Sequence, residues 1–499
     1  MASSVQPSMP YEDASFAPEW ALGEALQVKH AADLVWLRAS DAPGSSLFGS
    51  AIAPEDVLEG ELDDCYLVGA MTLLSLRPSS VRSLFDLERS DDTDGRYCVL
   101  LWRRGEQLVV EIDDRIPCRR STGAPIFARN RSAAGFWVQL VEKACAKLAG
   151  SYSNLSGGNT AEALHDLTGR PVFDYNLEAP DVRADIREGR LWAEVCEHVH
   201  AHSMVACCSI QLGPRIEARQ GLVQNHAYCV LDARELPAAH DDTSTVKLVR
   251  VRNPWGGEPR WSGSFCAGSE EWLQVTESAR DSLQLQQPGL DGSFWMSWEA
   301  FYTNFNRVQV CWMPVDEGSA GVGVSGRPLA RLVCSVSAEE SGGTKRSPTF
   351  WHNPAFVLSR RASAAEPAGR DPNDDLRVAV TLCLADRRAR EGAEREHQMT
   401  YLRIGLTVLR PVRREEGGDG AEQEEDCMSP TCLLPGYHRV CGTSRFWNKR
   451  EVSRCILLGP NDGLNDYPKL SRTPLSIFFF FFFSLHLSVH AFVRAFCRC

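Results

Sequence analysis

The first twenty residues, MASSVQPSMPYEDASFAPEW, lack both a basic leader and an apolar run. No secretory signal peptide is expected from them. A dense stripe of Lys or Arg is also missing, and with a net charge of -12 this argues against a nucleic-acid-binding surface. Cysteine is plentiful, with 18 residues, but the pattern of a disulfide framework is not there. The cysteines lie inside apolar runs such as HSMVACCSI instead of punctuating short loops, which suits reduced, buried thiols in an intracellular, cytoplasmic protein. No D-x-D-x-D-G calcium loop occurs anywhere in the chain. What is present is an ordinary globular composition, 43% hydrophobic and 24% charged, in a chain of 499 residues. That length allows roughly two to four domains and at least one sizeable core.

Residues 1–10 read as a disordered leader, and residues 11–316 as one continuous folded region dense in Trp, Leu and Val. FWVQLVEKACAKLAG (Phe136–Gly150) has apolar residues at helical spacing and a glycine stop, and GRLWAEVCEHVHAH is a second helix candidate. HAYCVLDAREL and TVKLVRVRNPW alternate as strands do, with turn residues between them. The Gly/Ser-rich run DEGSAGVGVSGRP marks a linker over 317–328. Four strand-like runs follow, LARLVCSVSAEE, AFVLSR, LRVAVTLCLAD and YLRIGLTVLRP, and predict a small β-sandwich over 329–411 that ends early, near Pro411. Residues 412–499 begin with the acidic stretch REEGGDGAEQEED, read as solvated and disordered, and continue as an irregular tail. Its segment LSIFFFFFFSLHLSVHAFV is close to the minimum length for a membrane span but is interrupted by two histidines and three serines. A translated polypyrimidine tract from unspliced message is the preferred reading of it, and a membrane anchor the lesser one.

Cys65 stands where an acidic loop, EGELDD, gives way to the apolar segment CYLVGAMTLLSL. Asp63 or Asp64 could cap a buried helix there, and a helix N-terminus lowers a thiol's pKa. Alone, Cys65 also reads as a small buried hydrophobe. His226, in GLVQNHAYCV, lies where a glycine-bearing loop enters a strand, and singly it is equally a surface or packing residue. Asn253 ends the following strand, ahead of Pro254 and Trp255. Its amide could orient an imidazole while the indole screens the pair from water. Together the three form the order Cys, His, Asn, the set that nucleophilic thiol catalysis requires.

Several stretches resemble the calpain family of papain-like cysteine proteases. EGELDDCYL is similar to the family's Q-G-x-L-G-D-C-W nucleophile motif, GLVQNHAY to its G-L-x-x-x-H-A-Y motif, and VRVRNPWG to R-N-P-W-G. FWVQLVEKACAKLAGSYSNLSGGNTAEALHDLTG, GSFWMSWEAFYTNF and YEDASFAP resemble further family segments, so the likeness spans about residues 11–316. The resemblance implies an α+β fold: a papain-like, two-lobed protease core, one lobe helical and one β-rich, followed by a β-sandwich of which TFWHNPAFVLS is the best match. It also implies protein substrates. The penta-EF-hand domain is missing from the pattern, and no EF-hand small-subunit partner is expected.

The departures from the family pattern concentrate on the thiol. Glu59 stands where the oxyanion glutamine is expected, and an ionised carboxylate accepts hydrogen bonds where a donor is needed. Asp63 replaces a glycine and adds negative charge, and Tyr66 replaces a tryptophan. The resemblance further implies calcium binding in the core, with Asp56 and Glu142 as side-chain ligands of a first site. The plainer alternatives are a solvated loop acid for Asp56 and a helix-surface salt bridge for Glu142. At the second site Asp291 is kept, but Ser293, Arg260 and Ala267 replace acids, so calcium is not expected there. Cys427, Cys432, His438 and Cys441 lack the short paired spacing of a zinc site. The leading expectation is a calcium-modulated intracellular cysteine endopeptidase with Cys65, His226 and Asn253 as its triad, Trp255 as cover and Glu59 beside the oxyanion. The alternatives are a catalytically impaired binding scaffold and, further behind, a membrane-tethered regulator.

Overall fold

The computed structural model describes residues 10–311 apart from short internal breaks, Met313, and eight strands between Pro328 and Cys497. The chain divides into two compact units, one covering Met1–Gly323 and the other most of Val324–Cys499. Among the described residues, no helix is long and apolar enough to cross a membrane.

The first half of the first unit is built around two buried helices, α1 (Cys65–Ser75) and α2 (Trp137–Ala149). The sequence CYLVGAMTLLS is apolar on all sides, so it forms a helix that is enclosed on all sides. Residues Tyr66 to Ser75 are all buried. The N-cap is Asp64, yet its side chain makes no capping hydrogen bond, unlike the role expected of Asp63 or Asp64. Helix α2 follows the expected span and stops at Gly150, whose φ of 90° is the left-handed conformation that glycine adopts without strain. Within it, Lys143 is buried and pairs with Asp113 at 2.5 Å, so the charge is not left alone in the core.

The second half is a six-stranded antiparallel sheet. Its strands are β1 (Val172–Asn176), β2 (Met204–Ser209), β3 (Ala227–Pro237), β4 (Thr245–Arg252), β5 (Ser293–Ser297) and β6 (Phe305–Cys311), in the spatial order β5, β4, β3, β2, β6, β1. Helix α1 and the sheet share one apolar core that joins Leu67, Val68 and Met71 with Ala206 and Cys229. Cys229 Sγ donates to the Gly69 carbonyl at 3.3 Å, seating α1 on β3. Because β3 and β4 are antiparallel, with Cys229 opposite Arg252, the residue before β3 and the residue after β4 meet at one edge of the sheet. Those residues are His226 and Asn253. In the first unit, the cysteines whose side chains are described are free, and most are buried.

The second unit contains two four-stranded antiparallel sheets. The four strands expected from sequence form as Pro328–Val336, Ala355–Ser359, Leu376–Cys383 and Arg403–Pro411. Four more strands lie past Pro411, where the sequence reading closed the sandwich. They include Ser476–Ser484, the phenylalanine run, which pairs with Ala355–Ser359 on one side and with Arg403–Leu409 on the other. Phenylalanine favours strands, but an unbroken apolar run carries no alternation by which to recognise one. Cys427 and Cys432 lie outside the described residues.

Candidate active site

Cys65 is the one residue of α1 that is only partly buried, so the enclosed helix meets the surface at its thiol. The Ala227 backbone N–H donates toward the sulfur, which places the thiol one residue from His226 in the chain. Burial, and then the charge of Glu59, pushes this thiol up to about 12.

His226 is fixed through its backbone before its ring is considered. Its N–H donates to Ser209 Oγ at 3.0 Å, and the Ser209 N–H donates back to the His226 carbonyl at 3.1 Å. The ring Nε2 lies 3.0 Å from Asn253 Oδ1. The Trp255 backbone N–H donates to the same Oδ1, also at 3.0 Å. A backbone N–H can only donate, so the Asn253 atom between them is the amide oxygen, Nε2 carries the proton, and Nδ1 is left as the free base. The Trp255 ring lies 4.8 Å from the imidazole and Tyr228 packs edge-on at 5.1 Å. His226 and Asn253 are buried, whereas Trp255 is 43% exposed and covers them from solvent. Burial lowers the imidazole to about 4 against the opposing effect of the Asn253 bond. At neutral pH the resting pair is therefore a thiol and a neutral imidazole.

The thiol side is acidic. The Glu59 N–H donates to the Pro254 carbonyl at 3.3 Å, and Arg129 Nη1 donates to the Glu59 carbonyl at 3.2 Å. This holds Glu59 between the loop carrying Asn253 and the start of α1. Asp63 has φ +57°, the left-handed region that glycine occupies freely and aspartate tolerates. The family's glycine at this position has that physical reason. Asp64 is fully buried with neither carboxylate oxygen in hydrogen-bond geometry, and burial raises it to about 7. Glu142 faces it, accepts the Ala128 N–H at 2.9 Å, and is raised by burial and by Asp64. A helix-surface salt bridge is thus excluded for Glu142, which is 2% exposed.

The two expected calcium ligands stand in different surroundings, Asp56 in the turn ahead of Val57 and Glu142 inside α2. Asp56 feels Glu55 and Arg131, whereas Glu142 feels Asp64 and Glu59. Among the described residues, no group of three or more His, Cys, Asp or Glu could hold a metal ion. Calcium takes six to eight oxygens, backbone carbonyls and waters among them, so Asp56 and Glu142 would make up only part of such a donor set. At the expected second site, Asp291 Oδ1 accepts Ser293 Oγ at 2.8 Å and its other oxygen lies 3.6 Å from Arg250. Arg260 lies outside the described residues.

Sequence reasoning did not single out Arg252. It is completely buried, and it donates to Thr72 Oγ1 of α1 at 3.2 Å, to the Val57 carbonyl at 2.9 Å and to the Asp291 carbonyl at 3.0 Å. One guanidinium thereby ties the helix of Cys65 to the strand that ends at Asn253. The sequence offered little signal, because Arg252 follows Lys247 and Arg250 in a strand that already carries charges. Ser209, which holds the His226 backbone, gave no signal at all.

The model of the calpain family cysteine protease matches residues 11–312 of this chain. The chain belongs to the calpain family. A second model, calpain large subunit domain III, matches residues 335–462. Calpain-A of Drosophila melanogaster is 30% identical over 424 residues, covering 81% of this chain and 48% of that protein. The Calpain-1 catalytic subunit of Gallus gallus is 29% identical over 420 residues, covering 82% of this chain and 55% of the relative. A calpain-type cysteine protease of Zea mays is 28% identical over 446 residues, 87% of this chain but 18% of the relative. The chain thus spans from under a fifth to just over half of the length of these calpains. The fold is that of a calpain protease core followed by domain III, as the sequence motifs implied.

Proposed function

We propose that this calpain-family chain is a cytoplasmic cysteine endopeptidase that cleaves peptide bonds in protein substrates through Cys65, His226 and Asn253. The observation that carries the reading is the Asn253 Oδ1 that accepts both His226 Nε2–H and the Trp255 N–H. It directs the basic Nδ1 away from the asparagine, while the partly exposed thiol stands beside Ala227. Cys65 Sγ attacks the substrate carbonyl as its proton passes to Nδ1. The imidazolium so formed then protonates the leaving amine, and a water activated by the same imidazole releases the acyl group. With both groups neutral at rest, proton transfer accompanies attack instead of preceding it. The Cys65 backbone amide, at the first turn of α1, is directed at the Glu59 carboxyl at rest and turns to the substrate oxygen as one oxyanion donor.

Calcium modulation through Asp56 and Glu142 is a separate part of the proposal, and no chemical step is routed through it. The purified full chain, incubated with a mechanism-based epoxide with and without calcium, tests both parts. Labelling mapped to Cys65 and lost in His226→Ala supports the peptidase. Labelling stimulated by calcium supports modulation. Folded protein that is not labelled at Cys65 in either condition excludes the peptidase and leaves the scaffold reading, which the acidic surroundings of the thiol favour.

A further inference from the structure

Glu59 is held more firmly than a loop acid needs to be. Its N–H and carbonyl are both engaged, by Pro254 and Arg129. The next residue, Gly60, lies so close to Phe127 that a Cβ there would come within 2.2 Å of the Phe127 carbonyl carbon. The backbone has no room to swing the side chain away. The Trp255 side chain and the Cys65 N–H approach the carboxyl, yet Oε2 is buried with no hydrogen-bond partner. A buried carboxylate oxygen with no donor is costly, and an ionised carboxylate beside a forming oxyanion opposes the reaction. Protonation removes that unpaired buried charge and turns the partly buried Glu59 carboxyl into a donor.

We propose that Glu59 works as a neutral carboxylic acid whose carboxyl O–H donates to the substrate oxyanion, and that its ionisation sets the alkaline limit of the reaction. The inference rests on the peptidase reading above. In the step, the bond from Sγ to the carbonyl carbon forms, the thiol proton moves to His226 Nδ1, and the carbonyl π pair moves onto oxygen. Glu59 keeps its proton and only shares it. On collapse the pair returns, the C–N bond breaks, and the amine takes the proton from His226.

The groups around Glu59 favour the acid form. Asp63 and Asp64 precede α1, Cys65 opens it, and Glu142 faces from α2; all are acidic or neutral. The nearby cation, Arg129, is directed to the Glu59 carbonyl oxygen. Trp255, from the Asn253 loop, is uncharged. Burial, followed by Asp64 and Asp63, raises the carboxyl to about 8, so the acid form prevails at neutral pH. Neutral Glu59 also withdraws a negative charge that holds the Cys65 thiol up.

The test compares wild-type full chain with Glu59→Gln and Glu59→Ala over a range of pH, using a fluorogenic peptide. Iodoacetamide alkylation of Cys65, which needs no oxyanion donor, is followed in parallel. For the wild type, kcat/KM should fall about tenfold per pH unit above about 8, while Glu59→Gln, a donor at every pH, keeps its rate through that range. At about pH 6.5, Glu59→Ala should lose ~10²–10³ in kcat/KM, with alkylation changed only a few-fold. An identical alkaline limb in Glu59→Gln, or full activity in Glu59→Ala, overturns the proposal. Infrared difference spectra of wild type minus Glu59→Gln should show a protonated-carboxyl band near neutral pH that disappears above about pH 9, and its absence also overturns the proposal. If neither wild type nor Glu59→Gln hydrolyses peptide although Cys65 alkylates, the peptidase reading itself falls, and the donor role falls with it. The infrared band then still reports whether Glu59 is protonated.

Discussion

The imidazole side and the thiol side of the site solve opposite problems. Around His226 the groups that orient the ring are engaged, the backbone by Ser209, the ring by Asn253 Oδ1, and that oxygen by Trp255, and Asn253 Nδ2 is left without a partner. Around Cys65 the polar groups are crowded, with Glu59 Oε2 buried without a partner and the Asp64 and Glu142 carboxyls set against each other. The first side fixes orientation by donors and acceptors. The second holds its position by backbone contacts, and burial raises the carboxyls of Glu59, Asp64 and Glu142 toward their neutral forms. Geometry and proton count are thus separable here, since the proposed triad keeps its arrangement while the charge around it differs.

Arg252 is the place to break the comparison, because it is shared by both sides. Arg252→Ala strips a donor from Thr72, Val57 and Asp291 together and leaves buried acceptors unpaired. We expect destabilisation on the order of 3 kcal/mol, read from chemical unfolding of the full chain. Residual folded protein should lose Cys65 labelling as well, since α1 and the Asn253 edge are no longer tied. A variant of unchanged stability would show that the two halves are held by apolar packing alone.

How much of this was legible in the sequence follows the same division. Cys65, His226 and Asn253 stood in motifs with fixed local context, and helix α2 and strands β3 and β4 showed their own periodicity. These are properties of neighbours along the chain. Arg252 reaching Thr72, Ser209 pinning His226 and Glu142 meeting Asp64 join residues that are far apart in sequence, and no local pattern encodes them. Asp64 is instructive. It occupies the N-cap as expected, but its burial against Glu142 denies it the capping geometry. The strands after Pro411 escaped for a different reason, because their apolar runs lack a period.

The pH dependence of stability sharpens the contrast, because the two sides slope in opposite directions. Glu59 is raised to about 8 in the folded chain, above an ordinary carboxyl value of 4.5, so between these values the native state holds more protons than the unfolded state. Its contribution to stability falls as pH rises through that window. His226 is lowered to about 4 from 6.5, so its contribution rises with pH between those values. Wild type compared with Glu59→Gln, in chelator, should diverge with increasing pH and reach a difference on the order of 5 kcal/mol in favour of the variant above about pH 8. Parallel curves would place Glu59 in solvent.

The smallest expected effect is the most discriminating. Asp63→Gly removes a non-glycine residue from φ +57° and also a negative charge near Glu59 and Asp64. The gain from relieving the left-handed backbone is partly offset by the greater freedom of glycine in the unfolded chain, which leaves net stabilisation below about 1 kcal/mol. For a unit of this size that is a rise in Tm of about 2 °C. The lost charge should at the same time lower the Glu59 carboxyl, moving the alkaline limit of activity slightly toward neutral. Stability and alkaline tolerance would then change in opposite senses from one substitution. A rise in both would mean that Asp63 acts on the backbone alone and that its charge does not reach the site.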